Sequence, residues 1–192
     1  MLEEEYQRGN RPVGAQKNLP PLQVPFEYTI REATPADLPH VREIYNHYVA
    51  NSTVTFDEDP LSLRELRAKY ANLEKLGLPF IVAVSPGGQV LGYAYVFPWK
   101  TKAAYRFTVE NSIYLGPAAT GKGLGRALMT ELIARSKAKG LKEIVAVIAD
   151  KGADASIALH REFGFTEIGH MGKVGFKFGR WLGTILMQKS LK

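Results

Sequence analysis

The chain has 192 residues, 45% of them apolar, enough to bury one sizeable core and most simply a single domain. With no cysteine it has no disulfide, thiolate nucleophile or cysteine-held metal, and its four histidines (His40, His47, His160, His170) lack metal-ligand spacing, so no metal is expected. The formal charge of +6 favours a polyanionic partner, but the cations are dispersed and no nucleic-acid motif occurs; a coenzyme carrying several phosphates accounts for the charge equally well, and so does solubility.

Residues 1–26 carry Gly9, Pro12, Gly14, Pro20, Pro21 and Pro25 without apolar periodicity and read as a flexible extension. Their acidic opening, Met1 to Glu5, has no apolar core of a secretory signal. No run is long enough to span a bilayer, so a cytoplasmic protein without a membrane partner is expected. Residues 27–192 read as one domain. Tyr28 to Arg31 is a short strand. Thr34-Pro35-Ala36-Asp37 predicts a helix start with Thr34 as N-cap, followed by an apolar face of Leu38, Val41, Ile44, Tyr45 and Tyr48. Asp59-Pro60 predicts a second start, with a stripe of Leu63, Leu66, Tyr70, Leu73 and Leu76 ending at Gly77. Phe80 to Val84 and Gln89 to Phe97 read as strands around a tight turn, and Thr108 to Leu115 as another. A helix over 122–139 turns Leu128, Leu132 and Ile133 inward and stops at Gly140. Lys142 to Ala149 reads as a strand buried on both faces, Ala153 to Phe163 as a helix, and Phe165 to Met171 and Gly183 to Gln188 as strands. The order βααβββαβαββ is that of an α/β (α+β) fold.

The most informative segment is the turn from Gly116 to Arg126. A glycine-rich bend between strand and helix leaves amides unpaired at the positive end of the helix dipole, which suits a phosphate group. Lys122 and Arg126 add positive charge. Gly116, Gly121 and Lys122 also fall at the spacing of a P-loop, but Gly123 stands where that loop needs a hydroxyl to hold magnesium. Nucleotide hydrolysis is therefore disfavoured.

The order of elements, the loop Thr120-Gly-Lys-Gly-Leu-Gly125 and the later segment Ser156 to Phe165 together resemble the GNAT N-acetyltransferase superfamily. Thr108 to Leu115, Val174 to Trp181 and Gln188 resemble its phosphinothricin and methionine sulfoximine branch, which acetylates the α-amino group of small amino acids or analogues. The resemblance covers about residues 28–190. It implies a mixed central sheet of six to seven strands with about four helices, acetyl-CoA as co-substrate, and a homodimer. It places the coenzyme's diphosphate on the amides of Gly121, Lys122, Gly123, Leu124, Gly125 and Arg126. The backbone of Ile113, Tyr114 and Leu115 would pair with the pantetheine arm as an added strand, and Ser156 would donate to it. Three positions depart from the family pattern: Thr120 stands for the usual Gln or Arg, Ala153 for Asn, and Gly183 for an acid. Loss of that asparagine's hydrogen bond would cost about 1 kcal/mol of coenzyme binding.

Acetyl transfer to an amine requires a neutral amine and a proton for the leaving thiolate. The resemblance assigns Glu110, on one strand face with Ser112, to general-base work through water; an exposed strand carboxylate, or one paired with Arg106, is the alternative. His160 occupies the place of a tyrosine that protonates the departing sulfur; imidazolium can do this near neutrality, and a satisfied core histidine is the alternative. An amino-acid acceptor needs a cation for its carboxylate. Lys100 and Arg106 are the candidates, Arg106 only if the strand reaches back that far; solvated loop charges are the alternative. Glu32, Tyr45 and Tyr48 are expected to border the pocket. Phe176, Phe178 and Trp181 fit a dimer-facing turn as readily as a substrate wall. Acetylation of a protein amine, and acyl-CoA binding without catalysis, remain open alternatives.

Overall fold

The computed structural model describes residues 26–192, so the extension predicted over residues 1–26 lies, save its last residue, outside the described part. The elements follow as β1 (Thr29–Glu32), α1 (Leu38–Asn51), α2 (Leu63–Leu76), β2 (Phe80–Val84), β3 (Val90–Pro98), β4 (Thr108–Leu115), α3 (Leu124–Ala138), β5 (Glu143–Ala149), α4 (Asp154–Glu162), β6 (Thr166–Lys177) and β7 (Arg180–Ser190). Seven strands form one sheet in the order β1-β2-β3-β4-β5-β7-β6. Every neighbouring pair is antiparallel except β4 and β5.

Two apolar layers sandwich this sheet. On one face, Leu124, Leu128, Met129 and Leu132 of α3 pack on Ile81, Ala83, Ala94 and Val96. On the other, Leu38, Val41 and Ile44 of α1 and Leu66 and Leu73 of α2 cover Phe80, Val82, Tyr93 and Tyr95. Alternate residues of β2 and β3 thus serve opposite cores, which makes the two strands apolar almost throughout. Strand β5 is likewise buried on both faces, apart from Val147, which is exposed.

Both early helices begin later than the sequence predicts. Asp37 accepts from the Thr34 amide and hydroxyl at 2.7 and 2.9 Å and pairs with Arg31 at 2.7 and 2.8 Å. The Arg31 guanidinium in particular holds the Asp37 carboxyl down at about 2. These local bonds compete with helix and keep residues 34–37 as a turn, so Thr34 is not the N-cap. The second helix is capped by Ser62, which forms a capping box with Glu65, rather than at Asp59-Pro60. Its other end lies at Gly77, left-handed at φ 61°, where the sequence places it.

The C-terminal hairpin is the larger departure: β6 runs to Lys177 and β7 begins at Arg180. Phe178 and Gly179 link them with φ of 51° and 72°, both positive as a two-residue hairpin of this hand demands. Gly183 in β7 has no space for a side chain, since a Cβ there would lie 2.5 Å from Asp150 Oδ2 and from the Met171 carbonyl. Asp150 Oδ1 accepts the Gly183 amide at 2.9 Å.

Candidate active site

Strands β4 and β5 pair only from Thr108 to Glu110, against Glu143 to Val145. Beyond Glu110, β4 continues through Leu115 paired only with β3. The parting opens a cleft of about 980 Å³ that runs to the turn before α3. Gly116 donates its amide to Leu91 O at 2.8 Å, on the β3 side. Counting back by twos, Tyr114 turns its peptide groups to β3, whereas Ile113 and Leu115 turn theirs to the gap. Tyr114 is therefore not a backbone partner for an arm lying there; its ring instead stacks 5.6 Å from that of Tyr93. The Leu115 carbonyl already accepts the Tyr48 hydroxyl at 2.7 Å, which leaves its amide free.

At the far end of the gap, Gly121 and Gly123 take φ of 72° and 80°, and a Cβ on either would meet nothing within 4 Å. Open space with left-handed backbone is what a ligand-cradling turn requires. Among the described residues, the amides of Gly123, Leu124 and Gly125 have no hydrogen-bond partner, while that of Arg126 bonds to Gly123 O at 3.1 Å. Leu124 itself is fully buried beneath the turn. The Lys122 ammonium lies 4.8 Å from the Phe26 ring and does not line the cleft. Arg126 lines it, paired with Glu162 at 2.7 Å. Thr120 bonds its hydroxyl to Pro117 O at 2.9 Å, and Ala153 sits buried at the N-cap of α4 without a side-chain bond.

Cross-strand register sorts the chemistry by face. Glu110, Ser112 and Tyr114 stand opposite Phe97, Tyr95 and Tyr93 and so share the α1–α2 face. There Glu110 lines the cleft beside Tyr45, Lys69, Tyr95 and Phe97. Burial pushes its carboxyl up to about 7, against the pull of Lys100 and then Lys69. Asn111 falls on the opposite face, where its Nδ2 meets His160 Nε2 at 2.9 Å.

His160 is 2% exposed. Its Nδ1 lies 2.7 Å from the Ser156 carbonyl, which can only accept, so Nδ1 carries the proton and Nε2 accepts from Asn111. Burial holds its pKa below the usual imidazole value. His160 thus reaches the cleft wall as a neutral, hydrogen-bonded imidazole whose one N–H is directed at the Ser156 carbonyl. Ser156 lines the cleft, its hydroxyl 3.5 Å from His160 Nδ1.

The two expected substrate cations lie elsewhere. Strand β4 starts at Thr108, and Arg106 adopts helical φ and ψ at the end of a short 3₁₀ turn, which breaks the alternation with Glu110. Its guanidinium donates to Ala103 O at 3.2 Å and stacks 4.6 Å from the Phe107 ring. The Lys100 ammonium packs 4.5 Å from the Trp99 ring, and neither cation lines the cleft. Glu32 pairs with Arg135 of α3 and is also outside it. Phe176, Phe178 and Trp181 project from the hairpin and form no part of its wall. Residues that the sequence did not single out complete the site: Lys69, Asn111, Tyr95, Thr55 and Asp57. Thr55 and Asp57 both bond the Tyr45 hydroxyl, at 2.9 and 2.5 Å.

A mixed sheet with parted central strands, a half-buried carboxylate beside the parting and an amide-lined turn behind it define an acyltransferase of the N-acetyltransferase class. Residues 41–165 match the Acetyltransferase (GNAT) family, and the chain belongs to it. It is 44% identical to an L-methionine sulfoximine/L-methionine sulfone acetyltransferase of Pseudomonas aeruginosa, over 85% of this chain and 94% of that one. Among solved structures, a Sinorhizobium meliloti phosphinothricin acetyltransferase in complex with AcCoA superposes with a TM-score of 0.81 at 45% identity, over 85% of this chain and 88% of that one. A ribosomal-protein-alanine N-acetyltransferase from Brucella melitensis does so with a TM-score of 0.81 at 40% identity, over 84% and 99%. Among the described residues no helix is long and apolar enough to cross a membrane, and no cluster of acidic or histidine side chains is placed to hold a metal.

Proposed function

We propose that this protein transfers an acetyl group from acetyl-CoA to the α-amino group of a small amino acid or analogue of the phosphinothricin and methionine sulfoximine kind. The observation that carries the reading is Glu110: a carboxylate raised to about 7, with no hydrogen-bond partner among the described residues, at the point where β4 and β5 part. A base with that pKa is half-ionised near neutrality and able to take a proton from an ammonium acceptor through water.

The chain fits the coenzyme. Acetyl-CoA supplies the activated acetyl thioester. The free amides of Gly123, Leu124 and Gly125 suit its diphosphate, with Arg126 beside them, and the peptide groups of Ile113 and the Leu115 amide suit an extended arm in the gap. Glu110 lies beside that gap on the face lined by Tyr45, Tyr95 and Phe97. His160 supports this frame through Asn111 and Ser156.

The Brucella relative keeps a second reading in view, acetylation of a protein's N-terminal amine. Thiol release from acetyl-CoA separates the two. Turnover with methionine sulfoximine or phosphinothricin and none with an alanine-terminated peptide is expected; the reverse pattern overturns the proposal.

The protein works as a homodimer in this reading. Six of the ten large apolar residues exposed among the described residues lie on the β6–β7 hairpin: Ile168, Met171, Val174, Phe176, Phe178 and Trp181. Strand β6 is also a sheet edge, and an apolar edge of that kind favours a partner. Light scattering should give about twice the chain mass of 21.3 kDa, and Trp181→Asp should bring it towards the single value.

A further inference from the structure

We infer that Lys69 is the specificity-determining cation of the acceptor site, gripping the carboxylate of the amino acid whose amine faces Glu110. The inference rests on the acceptor class proposed above. Lys69 projects from α2 into the cleft, where its Nζ meets Tyr95 Oη at 3.3 Å and lies 5.4 Å from that ring's centroid. An ammonium has three N–H donors. The tyrosine takes one, and among the described residues no carboxylate pairs with Lys69, so two donors face the cleft unclaimed.

The other cations near this end are turned away. Lys100 lies over Trp99, and Arg106 is folded onto Ala103 and Phe107. Arg126 is at the diphosphate end and paired with Glu162. Asp57, the acid that shares this end with Glu110, already accepts the Tyr45 hydroxyl. Lys100 and, less strongly, Lys69 both draw down the pKa of Glu110, but of the two only Lys69 lines the cleft with it. A zwitterionic amino acid presents the matching pair, ammonium to Glu110 and carboxylate to Lys69. Lysine grips as a point charge rather than a fork, so it tolerates variation in the angle at which the carboxylate arrives.

The test compares L-methionine sulfoximine with its carboxamide as acceptors, using wild type, Lys69→Met, Lys69→Arg and Lys100→Met. Charge-assisted bonds of about 1.5–3 kcal/mol correspond to roughly 10- to 150-fold in affinity. Lys69→Met should therefore raise KM for the free acid by about 10-fold or more, with a smaller loss in kcat. The carboxamide KM should move little, and the Lys69→Arg KM should fall between wild type and Met. The acid limb of the pH profile should shift upwards in Lys69→Met, and acetyl-CoA affinity by calorimetry should hold. An equal KM rise for acid and carboxamide, no rise at all, or a larger rise in Lys100→Met overturns the role of Lys69 alone. Absence of turnover with any carboxylated amine in wild type overturns the acceptor class, and this role with it.

Discussion

Glu110→Gln should lower kcat by about 10²- to 10⁴-fold while leaving acetyl-CoA affinity, read by calorimetry, within about threefold of wild type. The carboxylate sits beside the gap rather than in it, so its loss removes proton transfer and not the coenzyme's frame. The wild-type pH profile follows from the same burial. A base must be deprotonated to act, and burial holds this one at about 7. Wild-type kcat/KM should accordingly rise tenfold per pH unit below about 7 and level off above it, and this limb should vanish in the glutamine variant. Stability should move the opposite way. The folded protein binds the Glu110 proton more tightly than the unfolded chain does, so stability falls as pH climbs from the ordinary carboxylate range through about 7. Glutamine removes that penalty, and the variant should melt above wild type at pH 8. A variant that keeps its turnover, or a profile flat across neutrality, removes Glu110 from the reaction.

The contrast between Glu110 and the cations shows what sequence can carry. Glu110 was legible because strand alternation and the motif around it fix both its face and its place beside the parting. Gly121 and Gly123 were legible because only glycine adopts their backbone freely. Lys69 left no trace: on a helix whose stripe is Leu66, Tyr70 and Leu73, a lysine between them reads as solvated surface. What makes it a site residue is the packing of α2 over Tyr95, a contact spanning 26 positions. Arg106 failed for a local reason, since a turn with helical backbone at Arg106 itself, before the strand begins at Thr108, suffices to rotate it out of register. His160 was read by analogy with a tyrosine, and its surroundings come from Asn111, 49 positions away. The late start of α1 has the same character. The Thr34–Asp37 turn signal is real, but Arg31 gives Asp37 a competing partner. The long C-terminal hairpin was cut short because β6 is mostly exposed and bulged, and an exposed strand has no burial period to read.

Lys177→Met should lower the unfolding temperature by on the order of 5–10 °C and also raise KM for the acceptor, although the side chain lies outside the cleft. Lys177 is 1% exposed, and its Nζ donates to Ser52 O and Thr55 O, both at 2.9 Å, beneath the Phe178 ring. Burial lowers its pKa while Asp57 and Glu58 draw it back up. Two effects oppose each other in the variant. Methionine fills a similar volume and lifts the cost of burying a charge, but it strands two carbonyls that cost about 1–3 kcal/mol each when unsatisfied. The second effect wins because the carbonyls belong to a segment held elsewhere, by Thr53 on Lys151 O and by Thr55 and Asp57 on Tyr45, so it cannot turn freely to water. That segment carries Thr55, Phe56 and Asp57 along the cleft wall, which is why loosening it reaches the acceptor. Acetyl-CoA affinity should change less, because the free amides proposed to hold its diphosphate lie at the start of α3. Thermal unfolding and acceptor kinetics on one preparation check both halves. An unchanged melting temperature sinks the packing argument, and an unchanged acceptor KM in a destabilised variant sinks its link to the site.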